Sequence, residues 1–391
     1  MKGVFMYYVG IDVAKDKNDC IIIDSEGNIV HDVFTFENNK LGFNTFYNSV
    51  SSLLPLEIRI GLEATGHYSL NLIDFIDSKQ LPLIVLNPLS VNLYRKSCSL
   101  RKTKTDKIDC MIIAKMIRSS EYKPYSPVSY HLRELKTLTR HRFRLINEQS
   151  RLKISITRLV QILFPELTNH VWSIHQASSY ALLKNYPSAA MISDVHLTKL
   201  TTLLQKASYN HYSKEKAIEI RDAARNSIGS NSVSFQLELL QNITLITAFQ
   251  KEVKSVEKEI KKLMIEINSV ILTIPGISYT LGSIIIAEIG DISNFDSSAK
   301  LLAFAGLEPG VHQSGRFESA NQKMVKRGSK YLRWAILQAA RLIAMRDPVF
   351  KEYMNKKLAE GKHFNVAKSH VARKLIRVIY KLLNSKTPFN R

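Results

Sequence analysis

The 391-residue sequence has no apolar run approaching the roughly 18 residues needed to cross a bilayer. Its opening stretch, Met1 to Gly10, lacks the apolar core of a secretory signal. Cysteine is scarce. Cys20, Cys98 and Cys110 are odd in number, far apart and never in a CxxC pair, which excludes a disulfide framework and a cysteine zinc site and leaves small buried thiols. Acidic residues are outnumbered, 34 against 55 Lys and Arg, so the formal net charge is +21. Such a surplus repels itself in a compact state and points to an anionic partner. Nucleic acid comes first, because neutralising phosphates releases condensed counterions; an anionic membrane surface comes second. A soluble cytoplasmic, nucleoid-associated protein with no membrane partner is expected.

What is present is a globular balance, 45% apolar and 23% charged, in a chain long enough for two or three domains. Residues 1–125 read as α/β. Strands are expected at Tyr7–Val13, Asp19–Asp24, Ile29–Phe36, Glu57–Leu62 and Leu83–Leu86, the last stopped by Pro88. Ser25-Glu26-Gly27-Asn28 is turn chemistry joining the second and third. Helical spacing over Leu41–Leu54, Leu70–Ser78 and Asp106–Ser119 completes the order βββαβαβα, a mixed sheet faced with helices.

Residues 126–270 read as a helical, dimerising linker. Leu135, Leu138, Arg142, Leu145, Gln149, Leu152, Ile156, Leu159 and Leu163 form one heptad seam, stopped by Pro165. Phe235, Leu239, Asn242, Ile246, Phe249, Val253, Val256, Ile260, Leu263 and Ile267 form a second, with Asn242 as its polar residue. The two helices form a hairpin within the chain, or one builds a dimerising coiled coil between chains, or both. The polar stretch 166–234 shows no sustained period. Residues 271–391 are mainly α: a turn at Pro275-Gly276 opens a helix-turn-helix-like stretch, Ala299–Gly306 is a short helix, Pro309–Lys330 a flexible Gly, Ser and Lys-rich loop, Tyr331–Arg346 an apolar helix, and a basic helical tail follows. The Pro275-Gly276 turn suits either DNA-backbone contact or tight helix packing.

Four acids stand out. Asp12 and Glu63 close the first and fourth strands, neighbours in this topology. Asp106 and Asp109, three residues apart, share one face at the start of a helix. If that helix crosses the first strand, all four converge. They would repel unless a divalent cation intervened, and oxygen-only ligation favours Mg²⁺ or Mn²⁺ over Zn²⁺. Two such ions would clamp an in-line phosphodiester displacement. Asp106 also competes with Thr105 for the helix N-cap. A sugar-kinase or actin-type ATPase shares the strand order, but it needs a second Gly-rich phosphate loop, and residues 1–130 have none.

The segments Tyr8-Val9-Gly10-Ile11-Asp12-Val13-Ala14-Lys15, Glu63-Ala64-Thr65-Gly66 and Lys104-Thr105-Asp106-Lys107-Ile108-Asp109 resemble the three acidic motifs of the DEDD insertion-sequence transposases. Leu272 to Ile277, Phe304-Ala305-Gly306-Leu307-Glu308-Pro309, Gln313-Ser314-Gly315 and Lys326-Arg327-Gly328 resemble that family's second domain. The likeness spans the chain except 166–234. One departure is Cys110, where the family usually has Ala.

The resemblance implies an RNase H-like, RuvC-like N-terminal domain and a C-terminal domain with a serine nucleophile that links covalently to DNA. By motif match the nucleophile is Ser314, with Ser319 as the fallback. It implies strand cleavage and rejoining at element ends and target DNA, a composite site across a homo-dimer or tetramer, and guidance by a structured noncoding RNA. A basic surplus with no evident major-groove reading module fits delegated sequence recognition.

Arg95, Lys96, Arg101, Lys102 and Lys104 would approach the acidic site as phosphate contacts, and Arg316, Lys326 and Arg327 would neutralise the scissile phosphate. The competing readings are a Mg²⁺-dependent, Holliday-junction type endonuclease using water alone, and a non-catalytic nucleic-acid scaffold.

Overall fold

Alternation of side chains along five strands sets up the N-terminal architecture. The computed structural model describes residues 6–53, 57–64, 66–98, 105–122, 124–125, 130–310, 313–314, 317–318 and 324–390. They fall into two units, Met1–Pro127 and Val128–Arg391.

In the first unit, β1 (Met6–Val13), β2 (Lys17–Ile23), β3 (Ile29–Glu37), β4 (Glu57–Glu63) and β5 (Leu83–Leu86) form one sheet in the order β3-β2-β1-β4-β5. β1 pairs antiparallel with β2 and parallel with β4. Asp24 closes the β2–β3 turn. Its Oδ1 accepts from the backbone N–H of Glu26, Gly27 and Asn28 at 2.8–2.9 Å, with Gly27 at φ +95°.

Val9, Ile11 and Val13 of β1 face α1 (Lys40–Ser51) and α2 (Leu70–Ser78), in a core that includes Phe36 and Phe46. Tyr8, Ile21, Ile23, Ile84 and Leu86 face the other way, onto Val91 of α3 (Pro88–Cys98) and α4 (Asp106–Ser119). The sequence reading missed α3. Pro88 does end β5, but it also occupies the first helical position, where a missing N–H costs nothing, and Asn87 Oδ1 accepts from Leu89 N–H at 2.9 Å.

In the second unit, α5 (Tyr130–Leu163) and α11 (Val233–Ile267) form an antiparallel hairpin within the chain. The register is written in cross-helix pairs: His131–Glu266 at 3.4 Å, Arg142–Glu257 at 2.6 Å, Asn242–Ser155 at 3.0 Å and Arg158–Glu238 at 2.5 Å. Asn242 therefore has its polar partner on α5. The buried face is broader than the heptad reading, adding Thr139 and Val160 on α5 and Ile243 and Met264 on α11, because both helices also cover neighbours besides each other.

Five short helices between them, α6 (Leu167–His170), α7 (Ala177–Asn185), α8 (Ala189–Asp194), α9 (Leu197–Ala207) and α10 (Lys214–Arg225), share a core with one end of the hairpin. The other end joins α12 (Tyr279–Ile289), α13 (Ser298–Phe304), α14 (Lys330–Arg346), α15 (Pro348–Ala359) and α16 (Phe364–Ser385) in a second core. The expected 309–330 loop contains two short paired strands, β6 (Gln313–Ser314) and β7 (Phe317–Glu318), instead of being wholly irregular. An α/β N-terminal unit followed by a mostly helical remainder agrees with the sequence reading.

Candidate active site

The acidic part is built by strand register. Asp12 shares the α4-side face of β1 with Tyr8 and Gly10, and Glu63 shares that of β4 with Gly61. Ile11 pairs with Leu62 across the parallel strands, so Asp12 and Glu63 occupy the next step side by side. α4 lies directly over this pair. A Cβ on Gly10 would stand 2.2 Å from the Cys110 carbonyl oxygen, and one on Gly61 would stand 2.8 Å from Ile117. The two glycines are what let the helix sit so low.

Thr105 caps α4, its hydroxyl accepting from Ile108 N–H at 3.3 Å, so Asp106 is the first helical residue and not the cap. The side chain of Asp106 lies outside the described residues. Asp109 is buried and ion-paired with Arg95 Nη2 at 2.9 Å. Arg95, expected as a phosphate contact, is thus delivered by α3 to an acid of the site. Lys96 is exposed on α3, whereas Arg101, Lys102 and Lys104 lie outside the described residues.

A further acid, Asp19, went unnoticed in the sequence. It pairs in register with Asp12 across β1 and β2, is 4% exposed, accepts from the Thr35 hydroxyl and lies 3.3 Å from Lys17 Nζ. Cys110 reports the field these groups make. Its thiol donates to the Asp19 carbonyl at 2.9 Å, and its pKa is pushed up to about 12, first by burial and then by the charges of Asp12, Asp19 and Asp109, against an opposing backbone hydrogen bond at Asp12. Among the described residues, no three His, Cys, Asp or Glu side chains are gathered as a metal site.

The serine part belongs to the second unit. Ser314 pairs with Phe317 in the β6–β7 hairpin; its side chain, Arg316 and Ser319 lie outside the described residues. The base of this hairpin is firmly laced. Val325 N–H donates to Glu308 O at 2.9 Å, Ser329 N–H to Phe304 O at 2.8 Å, and Arg333 Nη1 to Lys326 O at 3.1 Å. Gly306 (φ +65°) and Gly328 (φ +95°) leave no room for a Cβ, which would meet the Arg327 and Phe304 carbonyl oxygens at 2.2 and 2.0 Å. Two motifs remote in sequence, 304–309 and 326–328, therefore lie against each other. Lys326 and Arg327 are exposed beside the hairpin base.

Beneath them sits a charge that sequence reasoning passed over. Glu288 of α12 is 2% exposed, accepts from Arg140 at 2.7 and 3.0 Å and from the Ser329 hydroxyl at 2.8 Å. Burial alone would raise its pKa, but the Arg140 and Ser329 hydrogen bonds and the charges of Arg140 and Lys136 hold it below the usual value. Ser329 is in turn the N-cap of α14, accepting from Leu332 N–H at 3.1 Å. The only visible hint in sequence was a lone acid in an otherwise apolar helix. The Pro275-Gly276 turn is packed rather than free: Gly276 has φ +93°, and a Cβ there would lie 2.9 Å from Leu342.

A mixed sheet with carboxylates at the ends of two adjacent parallel strands, a helix bearing a further acid across them, and a mostly helical second unit are compatible with a transposase of the DEDD class. The family model for DEDD-type IS110 transposases matches residues 9–165, and that described as the transposase IS116/IS110/IS902 family matches residues 268–355. The chain belongs to this family of insertion-element transposases, and DNA recombination is its class of activity.

It is similar over 98% of its length to the insertion element IS116 protein of Streptomyces clavuligerus, at 23% identity and 96% coverage of that protein. It is also similar to the pilin gene-inverting proteins of Moraxella lacunata (24% identity) and Moraxella bovis (25%), over 98% of each chain. Among the described residues, no helix is long and apolar enough to cross a membrane.

Proposed function

We propose that this chain is a transposase that cuts and rejoins DNA through a composite site, with Ser314 as nucleophile and Asp12, Glu63, Asp106 and Asp109 of an RNase H-like, RuvC-like domain as the acidic half. The observation that carries this reading is the register of Asp12 and Glu63 beneath α4 at Gly10. The donor set fits Mg²⁺ or Mn²⁺: it is all carboxylate, and Cys110, protonated at neutral pH, offers no competing thiolate. A bound cation would supply charge stabilisation at the reacting phosphate.

Attack of the Ser314 oxygen on phosphorus forms an O–P ester as the bond to a deoxyribose oxygen breaks. The serine proton passes to a carboxylate of the acidic half and from there to the departing deoxyribose oxygen, which leaves as a hydroxyl, and rejoining reverses the exchange with no outside energy source. Arg95 orients and neutralises Asp109, while Lys96, Arg101, Lys102, Lys104, Arg316, Lys326 and Arg327 hold phosphates. Sequence choice falls to a structured noncoding RNA, and element ends and target are brought together by a dimer or tetramer; the basic surplus supports a large nucleic-acid partner.

The test uses DNA carrying element ends, incubated with the full chain and resolved under denaturing conditions. A protein–DNA adduct that disappears in Ser314→Ala, and strand cleavage that falls sharply in Asp12→Ala, are expected. An adduct that persists in Ser314→Ala sinks the assignment of the nucleophile and turns attention to Ser319. Free ends without adduct, unchanged in Ser314→Ala, would mark a Holliday-junction type endonuclease instead.

A further inference from the structure

α15 and α16 form a cleft of about 370 Å³ lined by Tyr353, His370, Arg373, Lys374 and Arg377. The α16 residues recur at three- and four-residue steps, opposite the apolar stripe of Ala367, Val371, Leu375 and Ile379 that anchors the helix in its core. Among the described residues, none of His370, Arg373, Lys374 and Arg377 forms an ion pair with a carboxylate. Glu360, the acid whose charge acts on His370, is already taken by Lys357 at 2.7 Å and Lys362 at 2.6 Å.

Lys374 is held against two rings of α15. Lys374 Nζ lies 5.2 Å from the Phe350 ring centre and 5.0 Å from that of Tyr353. Arg373 Nε is buried without a hydrogen-bond acceptor. A buried donor left unsatisfied is costly, and like charges gathered in one cleft repel. The repulsion falls when an anion with several acceptor oxygens enters, and a guanidinium matches the oxygens of a phosphate. His370 senses the same potential, its pKa held down by burial and then by the positive charges of Arg373, Lys357 and Lys362, against Glu360.

We infer that this cleft is a DNA-backbone phosphate site, a second hold on DNA apart from the acidic residues and the serine hairpin. It rests on the reading that the chain handles DNA, and it adds where a strand is gripped beyond the residues that cut it.

Binding of the full chain to a fluorescent DNA duplex across a salt series tests this. In Arg373→Gln/Arg377→Gln the slope of log affinity against log salt should become shallower by about 0.9 for each phosphate that the cleft no longer neutralises. Affinity should fall about tenfold, the equivalent of one charge-assisted hydrogen bond. Arg377→Gln alone, at an exposed position where packing is undisturbed, should give part of the effect.

An unchanged slope in the double variant overturns the inference. So does weakening seen with RNA but not DNA, or a change seen only in stabilisation by inorganic phosphate, which would make it a free-anion site. If the double variant weakens DNA binding while wild type forms no adduct and cuts nothing, the cleft stands and the catalytic reading falls.

Discussion

Replacing Gly10 with Ala tests how α4 is seated on the sheet. The new Cβ would stand 2.2 Å from the Cys110 carbonyl oxygen and 2.7 Å from the Ala114 nitrogen. Both are backbone atoms, so no rotamer change relieves the clash and the helix itself must lift. Overpacking of this kind costs about 1–3 kcal/mol, and Gly10 belongs at or above the top of that range. Gly61→Ala is the internal comparison. Its nearest contact, 2.8 Å, is the Cγ2 of Ile117, a buried side-chain atom and not helix backbone, so a smaller shift relieves it, and the gain from replacing a strand glycine of roughly 0.5–1 kcal/mol offsets part of the strain.

Unfolding of the full chain should be followed by probes in each unit, because two units need not melt together. Each kcal/mol should move the transition of the first unit by about 3–5 °C, between the values for smaller and larger domains. Asp106 and Asp109 ride on the first turns of α4, so DNA cleavage by Gly10→Ala should fall further than its folded fraction. A Gly10→Ala protein as stable as wild type, or a Gly61→Ala protein that suffers more, would refute this account of the helix seating.

Other outcomes follow from the buried groups. Glu288→Gln should destabilise the second unit by up to about 3 kcal/mol, the low end for breaking a buried pair because Arg140 is partly solvated, with denaturant unfolding as the measure. The folded-state pKa of Glu288 lies below its ordinary 4.5, so its contribution is complete above that value and drains away as pH falls through the lower one. Glu288→Gln should therefore flatten the acid limb of the stability profile, and an unaltered limb would contradict the assignment. A maleimide should label the exposed Cys98 rapidly in the native protein and leave buried Cys20 and Cys110 untouched until unfolding, as peptide mapping would show.

Much of the local architecture was legible in the sequence because it depends on period. Five apolar runs became five strands, and Asp12 and Glu63 could be placed at the ends of two of them. Both long helices could be read from their heptads, yet a heptad says only that a helix has an apolar face. Whether α11 meets α5 depends on how residues 164–232 fold back, and the Asn242–Ser155 and Arg142–Glu257 pairs show that it does. Pro88 looked like a stop because a strand does end there; that a helix starts at the same residue depends on Val91 finding a core.

The roles of Asp19 and Glu288, and the pairing of Arg95 with Asp109, were beyond the reach of sequence for one reason. Each acquires its role from a partner that is remote in sequence or set by strand register: Asp12 across the sheet, Asp109 from the next helix, and Arg140 and Ser329 from two others. Periodicity determined which faces are apolar and where the acids fall on them. Tertiary packing alone decided which charges meet, because a charge can be buried only where the fold brings it a counter-charge and donors.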